Sequence, residues 1–226
     1  MARQNRQTDA PDRRRLLDTE IKVYRPRGEL RVITGPMCCG KSEETMRELR
    51  RAVIAGRHVL LLRPALDTRV EVDAQARSRS GQTFPARTLA DSAEILPTVE
   101  SAGADFVAIE EGQFWDDGII RAALSLVEKH MVVIVNGLNQ DYLGRPFGPM
   151  PTLMALSDDV RVLTAICQVC GEEATKTQRL HADGTPAGPD EQLILPGGFE
   201  TTAAVDRYEA RCRRHHVIGS RRGRRH

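Results

Sequence analysis

Gly35-Pro36-Met37-Cys38-Cys39-Gly40-Lys41-Ser42 is the stretch that decides the fold. It has the form G-x-x-x-x-G-K-S. A phosphate chain is wrapped by main-chain N–H groups, and bulky Cβ atoms would block that approach. A helix starting at the end of the turn presents its positive pole to the anion. Lys41 is expected to reach the β- and γ-phosphates, and Ser42 to hold Mg²⁺. The flanks fit this reading. Leu30-Arg31-Val32-Ile33-Thr34 is a β-rich run that stops at Gly35-Pro36. Met46, Leu49 and Val53 then recur at helical spacing, predicting a helix over 41–55 with Gly56 capping it. Cys38 and Cys39 are read as small side chains turned away from phosphate, with redox sensitivity as the alternative.

Outward from the cradle, apolar runs alternate with helical patterns. Strands are predicted at 58–63, 106–109 and 131–135, and a helix at 119–129. The strands are apolar on both faces, as buried parallel strands are. Alternation of this kind implies a parallel sheet covered on both sides. Right-handed crossovers would set the strand-end loops along one edge, where ligands bind. The third strand closes on Glu110-Glu111-Gly112-Gln113. One carboxylate there can hold a metal's hydration shell beside the cradle. The other can accept a proton from an attacking hydroxyl. Neighbours on a strand point to opposite faces, so the two roles should differ.

The character changes after Leu163: apolar runs shorten and Gly, Pro and Cys become frequent. Cys167-x-x-Cys170 and Cys212-x-x-His215 offer four ligands in two close pairs, which suits a closed tetrahedral structural Zn²⁺; His216 is an alternative fourth ligand. The expected organisation is a polar leader over 1–27, an ATP-binding α/β unit over 28–163, a zinc-binding and lid module over 164–217, and a basic tail over 218–226. A long polar loop is expected from His181 to Gln192.

The 226 residues are 40% hydrophobic and 28% charged, an ordinary globular composition, and the net charge of +2 argues for neither nucleic acid nor a membrane surface. Arg13-Arg14-Arg15 and Arg221-Arg222-Gly223-Arg224-Arg225 are read as solvated ends. No apolar run has the length of a membrane helix, and residues 1–18 lack an apolar signal core, so the cytoplasm is expected. Five clustered cysteines suggest metal or free thiols.

Taken in order, these motifs resemble the type II, zinc-containing cytosolic thymidine kinases, from about Glu29 to His215. Gly35-Pro36-Met37 resembles the family's P-loop opening, and Pro64-Ala65-Leu66-Asp67-Thr68-Arg69 its post-strand motif. Residues 110–115 are similar to Asp-Glu-Ala-Gln-Phe-Phe, and 137–150 to the segment flanking the nucleoside. The resemblance implies a P-loop (RecA-like) α/β fold, with γ-phosphoryl transfer from ATP to the 5′-hydroxyl of thymidine. It makes Glu111 the base, Glu110 the metal-side acid, and Gln113 and Arg69 neighbours of the phosphates. Met37, Leu138, Tyr142, Thr177 and Tyr208 match positions around the thymine, and main-chain groups near Gly197-Gly198 would hold the base. It also implies a homotetramer and feedback inhibition by dTTP.

Four features depart from the family. Glu110 replaces Asp, Asn139 replaces Asp, Arg79 replaces a His, and the stretch from Gly198 to Tyr208 is longer. They leave room for a non-catalytic nucleotide-binding regulator. The zinc pairs and basic ends would also suit a zinc-ribbon ATPase acting on nucleic acid, against which the 4% aromatic content offers little stacking surface.

Overall fold

The computed structural model describes residues 28–65, 75–77, 83–191 and 206–220. Arg69, Arg79, Gly197, Gly198 and the two basic ends lie outside them. The central sheet runs in the order β3-β4-β2-β5-β6-β1-β7. Its strands are β1 (Glu29–Thr34), β2 (Val59–Pro64), β3 (Gln75–Arg77), β4 (Thr83–Leu89), β5 (Phe106–Ile109), β6 (Val132–Gly137) and β7 (Asp159–Val162). All pairings are parallel except that of the edge strand β3 with β4. The α/β class read from the sequence is therefore the fold.

Alternation along the strands splits the core into two layers. Val32, Leu60, Leu62, Val107, Val133 and Val135 face one way, beneath α2 (Ile95–Ala102), α3 (Gly118–Glu128) and α4 (Met150–Leu156). Ile33, Leu61, Ala108, Val132 and Ile134 face the other way, beneath α1 (Lys41–Ile54). Met46 and Leu49 of α1 are buried as expected, but Val53 is half exposed and Ala52 meets the sheet instead. The helix needs only a narrow stripe there, and its last turn lifts clear of the strands, leaving Ile54 86% exposed. Gly56 follows with a left-handed φ of 75°, which suits the predicted stop.

Beyond Leu163 the chain forms two short antiparallel ribbons. One pairs β8 (Ala165–Ile166) with β9 (Glu173–Ala174), the other β10 (Lys176–Leu180) with β11 (Arg207–Arg211). Their apolar cluster is small: Ala165, Cys167, Ala174, Ala210 and Cys212, with Cys39 of the first turn packed against it.

Candidate active site

Parallel strands leave all their C-terminal ends at one edge, and the two chemistry-bearing segments emerge there. Strand β1 runs into the glycine turn and β5 into the glutamate pair, with β6 between them. The Thr34 hydroxyl donates to the Gly137 carbonyl at 2.8 Å, pinning the start of the turn to β6. A second link runs deeper. The Thr45 hydroxyl donates to the Lys41 carbonyl at 3.0 Å and accepts from the Asn136 amide at 2.8 Å. Asn136 in turn acts to lower the Glu110 carboxyl. One polar chain thus crosses the buried base of the site from α1 to β6.

The turn itself needs glycine. Gly35 has a φ of 147°, and a Cβ there would lie 2.3 Å from the Leu163 carbonyl oxygen. Gly40 caps α1 with a left-handed φ of 87°. The Lys41 ammonium donates to the Pro36 carbonyl at 2.8 Å, so it lies over the concave side of the turn. Cys38 is exposed and takes a φ of 64°, while Cys39 is partly buried. Burial pushes the Cys39 thiol up, against the pull of Lys41.

The glutamate pair diverges for a reason other than the pleat expected from the sequence. The strand ends at Ile109, and Glu111 adopts a left-handed φ of 52° that starts a short 3₁₀ turn over Gly112–Phe114. That conformation is uncommon for a side chain this long and marks a held position. Glu110 is buried at 9% exposure. Burial, aided by the Glu111 charge, pushes its carboxyl up to about 7, against Arg63 and Asn136. Gln113, 3% exposed, lies behind Glu111. Its amide donates to the Glu111 carboxylate at 2.5 Å, and its oxygen accepts from the Leu138 N–H at 2.8 Å. Gln113 therefore ties the glutamate to the chain leaving β6.

Gly112 fills a tight gap. A Cβ there would stand 2.5 Å from the Met150 sulfur and 2.8 Å from Val135 Cγ1.

The ribbons close the site from the other side. The Met37 N–H donates to the Thr177 hydroxyl at 3.0 Å, joining the glycine turn to β10. Leu138 and Tyr142 are buried, and Tyr208 stands across the ribbon from Arg179. Met37 and Thr177 thus meet directly, Tyr142 and Tyr208 both lie by Arg179, and Leu138 is tied to Gln113. The sequence did not point to Thr34, Thr45 and Asn136, which carry no motif. Arg179, His181, Glu191 and Asp206, scattered across the ribbon, were also missed.

Cys167, Cys170, Cys212 and His215 bring their ligand atoms within 4.8 Å of one another. Ligands about 2.3 Å from a tetrahedral zinc stand roughly 3.8 Å apart, too far for a disulfide. The Cys170 and Cys212 sulfurs are 3.8 Å apart, and His215 Nδ1 is 3.8 Å from Cys167 and 3.2 Å from Cys212. The residues therefore fit zinc. Burial alone would raise the Cys167 thiol, but the amides of Cys212, Val169 and Cys170 and the His215 ring bring it down to about 5. Thiolate is the form that binds metal. His216 is turned elsewhere, its Nε2 donating to the Tyr142 carbonyl at 2.8 Å.

Comparison with known proteins agrees with this architecture. The family model described as "Thymidine kinase" matches residues 28–216. The chain is 47% identical over 198 residues to the thymidine kinase of Coprothermobacter proteolyticus, covering 88% of this chain and 95% of that one. On both counts the chain belongs to the thymidine kinase family.

Proposed function

We infer that the protein phosphorylates thymidine at its 5′-hydroxyl with ATP as donor. One observation carries this reading beyond family membership. The glycine turn and the glutamate pair open at the same sheet edge, across a single strand, and Thr34 and Thr45 hydrogen-bond the turn and its helix to that strand. Phosphoryl transfer asks little more of a protein than positioning and charge neutralisation at such an edge.

The roles follow from placement. Residues 35–42 would wrap the triphosphate, with Lys41 on its outer phosphates; Ser42 would hold Mg²⁺, which would supply charge neutralisation there. Glu110 serves the metal side. Glu111 takes the proton of the 5′-hydroxyl through the carboxylate oxygen that Gln113 leaves unengaged. Gln113 acts here as the support of Glu111, and through it stands near the phosphates. Met37, Leu138, Tyr142, Thr177 and Tyr208 bound the nucleoside, joined by Gly197 and Gly198 and, on the phosphate side, Arg69. Zinc holds the ribbons and takes no part in the transfer, since four protein ligands fill its coordination. Residues 28–163 and 164–217 act as the ATP and nucleoside halves. The same reading carries a homotetramer restrained by dTTP and residence in the cytoplasm; no helix among the described residues is long and apolar enough to cross a membrane.

Thymidine-dependent ADP formation by the purified protein tests the reading. Turnover with thymidine is expected, and silence with every pyrimidine nucleoside would reject it. Hydrolysis driven by DNA or RNA would move the assignment to an ATPase instead.

A further inference from the structure

Four ionisable side chains outside the cradle form one cluster on the second ribbon. Arg179, only 4% exposed, donates to one Asp206 oxygen from Nε at 2.9 Å and from a terminal nitrogen at 2.8 Å. The same terminal nitrogen lies 3.7 Å from Glu191. His181 lies between the same two carboxylates, with Nδ1 3.2 Å from Asp206 and Nε2 3.1 Å from Glu191. The Gly188 N–H completes the Glu191 shell at 2.8 Å.

The group superficially resembles a metal site, but its geometry argues otherwise. The imidazole presents a different nitrogen to each carboxylate, so its donors do not converge on one point. A guanidinium already supplies the positive charge that a cation would bring. The guanidinium makes ion pairs with both carboxylates, and the imidazole adds a polar contact to each.

The placement of that cluster is what matters. Glu191 and Asp206 stand on either side of residues 192–205, which lie outside the described chain. Arg179 and His181 therefore bind the two ends of that stretch to each other. The cluster also grips the residues assigned above to the nucleoside. The Arg179 guanidinium lies 5.2 Å over the Tyr142 ring. The Tyr142 hydroxyl faces the Gly188 and Glu191 carbonyls at 2.9 and 3.2 Å. Tyr208 follows Asp206 by two residues and pairs with Arg179 across the ribbon.

We propose that Arg179 and His181 form an electrostatic clasp that positions Tyr142, Tyr208 and the flanks of residues 192–205 for nucleoside recognition, and has no part in ATP binding. Arg179 and His181 are positioning residues in this scheme, and it rests on the nucleoside assignment made under the proposed function. The pairs are poorly exposed, so they are weakly screened, and removing one partner leaves the other charge uncompensated.

The test uses full-length, zinc-loaded Arg179→Gln, His181→Gln, Asp206→Asn and the Arg179→Gln/Asp206→Asn double variant. Steady-state constants for both substrates are read beside zinc content and amide hydrogen exchange in β11. The single Arg179 and Asp206 variants should raise the thymidine KM by about 10- to 100-fold, with the ATP KM and kcat within about threefold. The double variant should fall short of the sum of the two singles, because the Arg179–Asp206 pair is already lost in each. Exchange at Arg207 and Tyr208 should quicken while zinc stays stoichiometric. An unchanged thymidine KM, or equal movement of both KM values and kcat, overturns the clasp. If the unaltered protein ignores thymidine, the function proposed above fails by itself. Exchange then decides the clasp: unaltered protection at Arg207 and Tyr208 in the variants rejects it.

Discussion

The sheet edge and the ribbons that face it are held by opposite means. At the edge, position comes from the backbone: parallel strands deliver the glycine turn and the glutamates, and two apolar layers lock those strands in place. Among the described residues, the apolar cluster of the ribbons is a handful of alanines and cysteines. The shape of the ribbons rests on four metal-ligand side chains, the cluster around Arg179 and hydrogen bonds to the sheet half such as those of Met37 with Thr177, Gln140 with Lys176 and Tyr142 with Gly188 and His216. Where apolar burial is scarce, polar cross-links take its place, as in other small modules. The phosphate side should thus tolerate loss of its surface charges, and the nucleoside side should not tolerate loss of its links.

The largest expected effect lies at the edge. Glu111→Gln should slow turnover by about 10²-fold or more while ATP affinity, read by titration, holds. A comparable loss of ATP binding would mean that Glu111 shapes the phosphate site and is not confined to the proton. Next comes the metal. Stripping zinc with a chelator, or Cys212→Ser, should raise the thymidine KM by about 10- to 100-fold and loosen the ribbons by circular dichroism, with ATP still bound. Joint loss of both ligands would show that the halves fold as one unit. Thr177→Val should be milder. It strands the buried Met37 N–H at a cost of about 1–3 kcal/mol, seen as a rise of roughly tenfold in thymidine KM.

The smallest effect tests the other side of the contrast. Arg47, then Arg161, hold the Glu44 carboxyl down at about 2, below its ordinary 4.5. A carboxylate held low stabilises the fold above pH 4.5, and that contribution fades as pH falls toward 2. Glu44 keeps part of its side chain in solvent and its partner Arg47 is half exposed, so the difference between wild type and Glu44→Gln in denaturant melts should stay below about 1 kcal/mol at pH 7 and shrink by pH 3. A larger gap would show that surface charge matters on the sheet half too.

The contrast also separates what could be read in advance from what could not. Strands β1, β2, β5 and β6 and helices α1 and α3 announce themselves as continuous apolar runs or helical stripes, because both faces of the sheet are buried. Elements β4, α2 and α4 each contain a proline, Pro85, Pro97 or Pro151, which masks them although each sits where its ring is tolerated. Strand β7 alternates half-buried and exposed residues at the sheet's edge and gives no apolar run. The cradle, the glutamate pair and the cysteine–histidine pairs were legible because their spacing is local. The left-handed turn of Glu111 and the Arg179 cluster were not, since backbone strain and long-range ion pairs leave no trace in spacing.

The gap at Gly112 reaches beyond this one chain. The motif that residues 110–115 resemble has alanine there, yet in this packing an added methyl would collide with the thioether of Met150 and the branched Val135. Grafting a relative's acidic segment into this scaffold one residue at a time should therefore fail, and succeed only when position 150 is made slimmer in the same step. Across diverging homologues the two sites are expected to mutate in concert, the bulk gained at one being surrendered at the other.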